Sequence, residues 1–279
     1  MSPAKSIIVC ADDFAFSAAV SDGVLALVRA GRLSAVSCMT DAPLWPGLAP
    51  QLRDAATDVA LGVHFNLIEP FGHDERPLPV WIVRSLVGAI DATAVRAHLR
   101  RQIERFADAV GRLPDFVDGH QHVHAFPRIR VVVEEEVAAL QPHRHVRIRA
   151  VDRFFGRTDA PVKRRVIRWL ARAGGGSALD PALRMNTAFG GDYSLTLKAD
   201  YATLFAEWLR SAPDGALLMC HPAAAPGGLE AGPAEYRFLL SERFPALLEA
   251  AGAVLAGAPR PIPSRPGVQR VEEHGIRND

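Results

Sequence analysis

Residues 6–31 have the sequence SIIVCADDFAFSAAVSDGVLALVRAG, and this stretch decides the fold class. Residues 6–11 are apolar and rich in β-branched side chains, which predicts a buried strand ending at the pair Asp12-Asp13. Beyond the pair, Ser17 suits a helix N-cap, and apolar residues then recur at helical spacing. The first unit is therefore a strand, a polar loop and a helix.

The same alternation continues along the chain. Further strands are predicted at residues 35–39, 59–64, 116–118, 146–149, 183–188 and 216–220. Helices are predicted near residues 92–110, 128–140, 162–172, 199–209 and 241–251. Six or seven β-α units indicate an α/β fold whose parallel sheet forms a (β/α) barrel of the TIM type, either complete or distorted and incomplete.

Length and composition favour one globular domain. The 279 residues fall within the range of a single α/β barrel, and 49% hydrophobic with 23% charged residues is close to the globular average. We expect one domain over residues 1–256 and a tail rich in proline and charge over residues 257–279. The proline-rich segment 69–79 and the glycine run 174–176 are predicted surface loops.

The charge balance argues against polyanionic partners. Lys and Arg number 32 against 31 Asp and Glu, which gives a formal charge of +1 and no broad footprint for nucleic acid. No apolar run reaches the roughly 18 residues that cross a bilayer, and no signal-peptide core follows the first residues. We therefore expect a cytoplasmic protein that binds neither nucleic acid nor membrane. Three cysteines without CxxC spacing argue against a disulfide framework and a cysteine zinc site.

Ionisable side chains collect where the predicted strands end. Asp12 and Asp13 follow the first strand, His64 closes the third, a histidine-rich segment follows the fourth, and His221 follows the last. In a parallel barrel these strand ends share one face, so residues about 200 positions apart are expected to converge. Each has a structural alternative when taken alone, since an Asp pair can cap a helix and a single histidine can lie in the core.

The histidine-rich segment is the strongest single signal. Residues 118–124 have the sequence DGHQHVH, and three imidazoles in five residues are costly to bury unless something binds them. In an extended segment His120, His122 and His124 face one side, but a rise of about 3.3 Å per residue separates the outer two by roughly 13 Å. A single ion can therefore bind one or two of them. With His64 and one carboxylate of the Asp pair, two histidines and one carboxylate would leave positions open for water and substrate.

Two adjacent carboxylates suit a hydrolase. One can bind the ion, which lowers the pKa of a bound water, while the other accepts the proton as that water attacks. A later histidine can then protonate the leaving group. From the residues alone, either Asp12 or Asp13 can take either task.

Four motifs in order resemble a known family. They are Ala11-Asp12-Asp13-Phe14, Gly62-Val63-His64-Phe65, Asp118-Gly119-His120-Gln121-His122-Val123-His124-Ala125-Phe126-Pro127 and Met219-Cys220-His221-Pro222-Ala223. From residue 6 to about residue 255, the chain is similar to the YdjC-like carbohydrate deacetylases, the chitooligosaccharide deacetylase family. The resemblance implies a barrel-like deacetylase fold and metal-dependent removal of the acetyl group from an N-acetylated amino sugar or chitooligosaccharide, with release of acetate.

The resemblance also implies a role for each site residue. His64 and His120 match the metal-binding histidines, Asp13 is expected as the third ligand, and Asp12 as the base. The order of the two Asp residues follows the wider polysaccharide deacetylases. His221 matches the acid that protonates the leaving amine. The residues expected to orient the ligands or to contact substrate are Asp118, His122, His124, Arg149 and Arg237.

The implied cofactor is one divalent metal ion, with no organic cofactor. Zinc or magnesium is expected, and manganese, cobalt and nickel are alternatives. The expected partner is a small-molecule or oligosaccharide substrate, and a homodimer is one option for the oligomeric state. Two positions depart from the family pattern: Ala15 stands where the family usually has glycine, and Gln121 where it often has a further histidine. Both affect the loop geometry, and thus the substrate preference.

Three other functions compete with this hypothesis. Two histidines and one aspartate do not select the bond that is cleaved, so a metal-dependent phosphoesterase or another amidohydrolase is an alternative. A non-catalytic protein that binds sugar or metal would need neither the base nor the acid. A glycoside hydrolase needs two carboxylates roughly 5 to 10 Å apart across the scissile bond, which the adjacent Asp12 and Asp13 do not provide.

Overall fold

Strands and helices alternate along the chain. The computed structural model describes residues 4–69, 71, 76–141, 145–173, 179–196 and 200–257. The strands are β1 (Lys5–Phe14), β2 (Ala35–Cys38), β3 (Ala60–Phe65), β4 (Phe116–Gly119), β5 (Arg147–Ile148), β6 (Phe189–Gly190), β7 (Ala216–Cys220) and β8 (Ala253–Leu255). The α-helices are α1 (Ala18–Arg29), α2 (Trp45–Ala55), α3 (Leu78–Val87), α4 (Ala92–Val110), α5 (Ile129–Leu140), α6 (Pro161–Ala173), α7 (Tyr201–Ser211), α8 (Gly232–Leu240) and α9 (Arg243–Ala250). The glycine run 174–176 and the tail from residue 258 lie outside the described residues.

The strands form one curled parallel sheet. Its order is β5-β4-β3-β2-β1-β7-β6, and β8 pairs with the start of β1. Two isolated bridges, Ile148 to Arg184 and Phe154 to Phe189, link the two ends of this order. Single bridges thus take the place of a full ladder at the seam, which confirms the predicted α/β barrel in its incomplete form.

The strand β1 lies at the centre of the sheet. It pairs with β7 from Ile7 and Ala216 to Ala11 and Cys220, and with β2 on its other side. Its apolar run is buried because helices cover the sheet, as is usual for parallel strands. The following helix α1 begins as predicted, since the Ser17 side chain accepts a hydrogen bond from the Val20 N–H.

The strand predicted at residues 183–188 is wrong. A 3₁₀ turn, Pro181–Leu183, includes the first residue of the predicted strand, and the next strand, β6, begins only at Phe189. The Asn186 side chain hydrogen-bonds the backbone of Ala150 and Ala188, so these groups do not form a ladder. The segment 183–188, in which polar residues interrupt the apolar ones, is therefore an irregular connection rather than a strand.

Three helices were missed by the sequence analysis, and they share one feature. Each of α2, α3 and α8 has a proline in its first helical positions. Proline is well tolerated there because those N–H groups have no partner within the helix. In the segment 69–79 the prolines had been taken as a loop signal, yet α3 starts inside that predicted loop. None of the described helices is long and apolar enough to span a bilayer.

Candidate functional site

A β-bulge in β1 presents both aspartates to the site. Between Ala11 and Phe14 the strand advances three residues while β2 advances two, from Val36 to Cys38. Adjacent residues of a regular strand face opposite sides, but a bulge redirects them. Asp13 takes a left-handed conformation, with a φ of 64°, and both Asp12 and Asp13 line the same cavity.

The turn after the bulge is strained at Ala15. This alanine has a φ of 76° and is fully buried. Its N–H donates to the Ser21 Oγ at 3.1 Å, which ties the turn to α1. A left-handed conformation costs a residue with a Cβ about 1–2 kcal/mol. A chain with alanine in place of the family's glycine could either avoid a positive φ here or accept the strain. The φ of Ala15 shows that this chain accepts the strain.

Neighbouring strands hold His64 in one orientation. His64 of β3 is the register partner of Asp118 of β4, and its Nδ1 lies 2.6 Å from the Asp118 Oδ1. The Ser37 hydroxyl donates to the same Asp118 oxygen at 2.5 Å. A carboxylate on one ring nitrogen fixes the tautomer and directs the other nitrogen outward. The sequence analysis did not identify Ser37, whose type gives no signal.

The histidine-rich segment is not extended, contrary to the geometry assumed for it. Residues His120–Ala125 form a 3₁₀ turn, in which Gln121 and His122 have positive φ values of 51° and 62°. The turn sends the three histidines to different partners. His120 contacts Asp13, while the His124 Nε2 lies 3.0 Å from the Arg149 carbonyl oxygen.

Three side chains form a candidate metal centre. The Asp13 Oδ1 lies 3.2 Å from the His64 Nε2 and 2.9 Å from the His120 Nδ1. One ligand atom from each residue lies within 4.8 Å of the others, so a single ion could contact all three. Two imidazoles and one carboxylate suit a first-row divalent cation, and the carboxylate behind His64 is a typical outer partner of such a ligand. The predicted ligand set is therefore brought together, and its chemistry fits one metal ion.

The electrostatics of this group also suit a cation. Burial lowers the pKa of His64, but Asp118 and then Asp12 outweigh it and raise that pKa to about 10. Burial likewise opposes charge on His120, yet the Asp13 carboxylate raises its pKa to about 9. The carboxylates thus favour positive charge at the position between the rings. A bound metal ion would supply that charge in place of the protons.

Arg149 lies among a second group of acidic side chains, next to the candidate metal centre. Its guanidinium is fully buried, donates to Asp12 Oδ1 and Oδ2 at 2.6 and 2.7 Å, and contacts the Asp118 carboxylate. The described residues Cys10, Asp12 and Asp118 also cluster closely enough to hold an ion, but this arginine already provides their cation. The bidentate contact with Arg149 therefore fixes the orientation of the Asp12 carboxylate.

His221 lies beside the aspartates on a segment anchored by Glu235. The His221 N–H donates to the Glu235 Oε2 at 2.5 Å, and the Tyr193 hydroxyl donates to the Oε1 at 2.5 Å. Burial lowers the pKa of the His221 imidazole, partly offset by Asp13 and Asp12. Burial raises the pKa of Glu235 to about 7 despite these two hydrogen bonds. The sequence analysis missed both Glu235 and Tyr193.

The remaining predicted residues do not belong to the candidate ligand set, although His122 lines the same cavity. His122 packs edge-on against Phe189, and burial holds its pKa well below the ordinary value. Burial also lowers the pKa of His124, to about 4. Arg237 is exposed on α8 and donates to the Pro233 carbonyl of its own helix, outside the described lining of the cavity. A substrate contact by Arg237 stays a prediction without a geometric basis.

The metal centre opens into a cavity of about 560 Å³. Its floor carries Asp12, Asp13, His64, His120 and His221. Glu69, which the sequence analysis did not identify, also lines it, with its Oε1 3.4 Å from the His120 Nε2. The site therefore combines a ligand set, a separate carboxylate and a separate imidazole in one enclosed space that a small organic molecule can enter.

The sequence is similar to a protein family and to curated proteins. A family described as YdjC-like protein matches residues 6–250. The chain is 30% identical over 152 residues to a carbohydrate deacetylase of Mus musculus, with 49% of this chain and 48% of that protein aligned. It is 31% identical over 137 residues to the chitooligosaccharide deacetylase of Escherichia fergusonii, with 46% and 54% aligned. The chain thus spans about half the length of these curated relatives.

The fold also has a counterpart among crystal structures. A protein of Enterococcus faecalis named for cellobiose-phosphate cleavage superposes with a TM-score of 0.66 at 19% identity. The superposition covers 91% of this chain and 97% of the other. At this level of identity the likeness establishes the shared fold alone.

Proposed function

Since the chain belongs to the YdjC-like protein family, we propose that it is a metal-dependent carbohydrate deacetylase. It would remove the N-acetyl group of an N-acetylated amino sugar and release acetate. One observation carries the proposal: Asp13, His64 and His120 converge in a cavity that also contains Asp12 and His221. A separate base and acid beside a ligand set are what amide hydrolysis requires.

In this proposal Asp13, His64 and His120 hold the metal ion. The ion, when bound, supplies a Lewis acid that polarises the acetamide carbonyl and increases the acidity of water. Glu69 and Asp118 face the outer nitrogens of the two histidines, at 3.4 and 2.6 Å, and keep the rings in place. The identity of the ion follows from neither contact, and zinc and magnesium are both proposed.

Asp12 and His221 perform the two proton transfers. Asp12 accepts a proton from the attacking water, while the bidentate contact with Arg149 keeps its carboxylate oriented. His221 then donates a proton to the nitrogen of the breaking amide bond, which would otherwise leave as a poor anion. The lowered pKa of His221 makes its protonated ring a stronger acid and also reduces the fraction of protonated rings near neutral pH.

The competing functions lack a supporting observation. Among the described cavity residues, Lys163 is the one lysine or arginine side chain. A phosphoesterase needs several cationic groups around the phosphate. A protein that only binds sugar or metal would need neither Asp12 nor His221.

Two variants separate the metal ligand from the base. We expect Asp12→Asn to bind the metal ion but to lose about 10²–10⁴-fold in kcat, because the base is removed. Asp13→Asn should instead lose metal affinity. The measurement is acetate release from N-acetylglucosamine oligomers, before and after chelation and with zinc, magnesium, manganese, cobalt or nickel restored. Metal titration of each variant is the control.

The outcomes distinguish the assignments from the reaction. An Asp12→Asn variant with normal metal affinity and a near-normal rate would show that Asp12 is not the base. Metal-dependent turnover of phosphoesters or other amides, without acetate release from any sugar, would keep the metal centre and overturn the deacetylase proposal.

A further inference from the structure

One side of the cavity is aliphatic. Leu78 and Ile82 of α3, Val166 of α6, and Leu195 and Leu229 of two loops line it, and we call these five residues the apolar wall. None of the five is fully buried, although Leu78, Ile82 and Leu195 also pack against the hydrophobic core. Val166 is 40% exposed and Leu229 39% exposed, and the other three are half-buried. The wall therefore presents hydrocarbon to whatever occupies the cavity.

The wall extends an already apolar interior. Behind it, Ile167 and Leu170 of α6 also line the cavity and are buried. When a ligand covers exposed apolar side chains in a concave surface, their removal from water makes the free energy of binding more favourable. The wall is continuous with the floor that carries the proposed reactive groups, so a substrate held on the floor extends against it.

A polar oligosaccharide is a poor match for this wall. Beyond the proposed catalytic and metal groups, the described polar side chains of the cavity are Glu69, Gln121, His122 and Lys163. Each sugar hydroxyl that leaves water without a partner carries a desolvation cost. One sugar ring can find partners on the floor. Further rings laid along Leu78, Ile82 and Val166 would bury hydroxyls against methyl groups.

We propose that the substrate is an acylated amino sugar that carries a hydrocarbon substituent, and that the apolar wall binds this substituent. The inference rests on the proposed deacetylase function and specifies its substrate class. The reaction itself is unchanged: the amide C–N bond breaks, the oxygen of water joins the acyl carbon, and the nitrogen leaves with a proton as a free amine. The hydrocarbon can be attached at the glycosidic position or as the acyl chain.

A substrate panel tests the preference with the full chain and its bound metal. The compounds are N-acetylglucosamine, its β-1,4-linked dimer, octyl N-acetylglucosaminide below its micellar concentration, and N-octanoylglucosamine. We expect kcat/KM for one of the two octyl compounds to exceed that for the dimer by at least about tenfold, since each methylene in an apolar pocket contributes measurably to discrimination. A preferred octyl glycoside places the hydrocarbon at the glycosidic position, and a preferred octanoyl amide places it on the acyl group.

Matched serine variants locate the effect. Ile82→Ser and Val166→Ser alter the apolar wall, whereas Val83→Ser and Val162→Ser alter exposed residues of the same two helices outside the described cavity lining. In the wall variants, kcat/KM for the preferred octyl compound should fall about tenfold more than kcat/KM for N-acetylglucosamine. The control variants should match the parent protein on both substrates.

The outcomes separate this inference from the proposed function. Turnover of the dimer equal to or better than both octyl compounds overturns the hydrocarbon preference but leaves the deacetylase. Equal losses in wall and control variants overturn it as well. If no compound is hydrolysed, the proposed function fails, and calorimetric binding of octyl glucoside against glucose then decides the preference. Tighter octyl glucoside binding that Ile82→Ser weakens supports the wall, and equal binding overturns it.

Discussion

Glu235 is a single side chain on which the position of His221 depends. It is fully buried, and its two oxygens accept hydrogen bonds from the His221 N–H and the Tyr193 hydroxyl. Burial raises its pKa from the ordinary 4.5 to about 7, because those two bonds only partly compensate for the loss of water. The fold therefore favours the protonated form of this carboxyl group.

The stability of the protein should report this titration. A raised pKa contributes stability that is complete below about pH 4.5 and is lost as the pH rises through about 7. Glu235→Gln mimics the protonated carboxyl, since its amide can accept from His221 and donate to Tyr193. We expect the free energy of unfolding of the parent protein, minus that of the variant, to fall by about 2–3 kcal/mol between pH 5 and pH 8.

Urea denaturation of the metal-free proteins at several pH values measures this difference. Groups that titrate identically in both proteins cancel in the subtraction. A difference that stays constant with pH would contradict a raised pKa at Glu235.

At the level of residues, the sequence predicted the side chains whose chemistry is distinctive. Asp12, Asp13 and His64 could be placed beside the histidine-rich segment because ionisable residues at parallel strand ends converge, whereas His120 was singled out within that segment by the resemblance to the YdjC-like family. Glu235 could not, since it lies on a helix with a proline at its second position, and its partner Tyr193 is 42 positions away in sequence. A glutamate in such a helix gives no sequence signal of the contact that buries it.

The 3₁₀ turn His120–Ala125 is the element that shapes the proposed metal centre. It packs back onto the end of β4, where Gly119 lies against His124. A Cβ on Gly119 would lie 2.9 Å from the His124 N and 3.0 Å from its Nδ1. The φ of Gly119 is −160°, an extended conformation open to any residue, so the requirement for glycine is steric.

A Gly119→Ala substitution should therefore displace the turn. We expect a loss of about 1–3 kcal/mol in the free energy of unfolding, because an added methyl group in a packed region forces shifts. Metal affinity should fall at least about tenfold, since His120 moves with the turn. Gly47→Ala is a matched control, as a Cβ there meets no atom within 4 Å. Isothermal titration with zinc and urea denaturation give both quantities, and unchanged values for Gly119→Ala would refute the steric argument.

Elements with strong periodicity were predicted, and those fixed by their neighbours were not. Buried apolar runs located most strands, including β1, because burial on both faces selects such sequences. The bulge at Asp12 and Asp13 depends on the register with β2, which one strand's sequence does not contain. The left-handed residues Gln121 and His122 were likewise unexpected, since neither is glycine.

Across the whole molecule, the barrel joins distant parts of the chain at one point. Asp13 extends from β1, His64 from β3, and His120 from the turn after β4. His120 and Asp13 are 107 positions apart in sequence, yet their polar atoms lie within hydrogen-bonding distance. A metal ion bound there would link three parts of the fold, and the unfolded chain would have no comparable site.

Metal binding should therefore raise the thermal stability of the whole protein. A ligand that binds only the folded state and is present at about 100 times its Kd adds about 2.7 kcal/mol, which for a chain of this size raises Tm by roughly 5 °C. We expect this shift when zinc or magnesium is added to the chelated protein, measured by differential scanning calorimetry. Asp13→Asn should abolish it, because the central ligand is lost, while Asp12→Asn should retain it. If the two variants respond alike, Asp12 and Asp13 do not divide the tasks of base and ligand. If the parent protein shows no shift with any divalent ion, the convergence of Asp13, His64 and His120 is a hydrogen-bonded cluster of the folded chain rather than a metal centre.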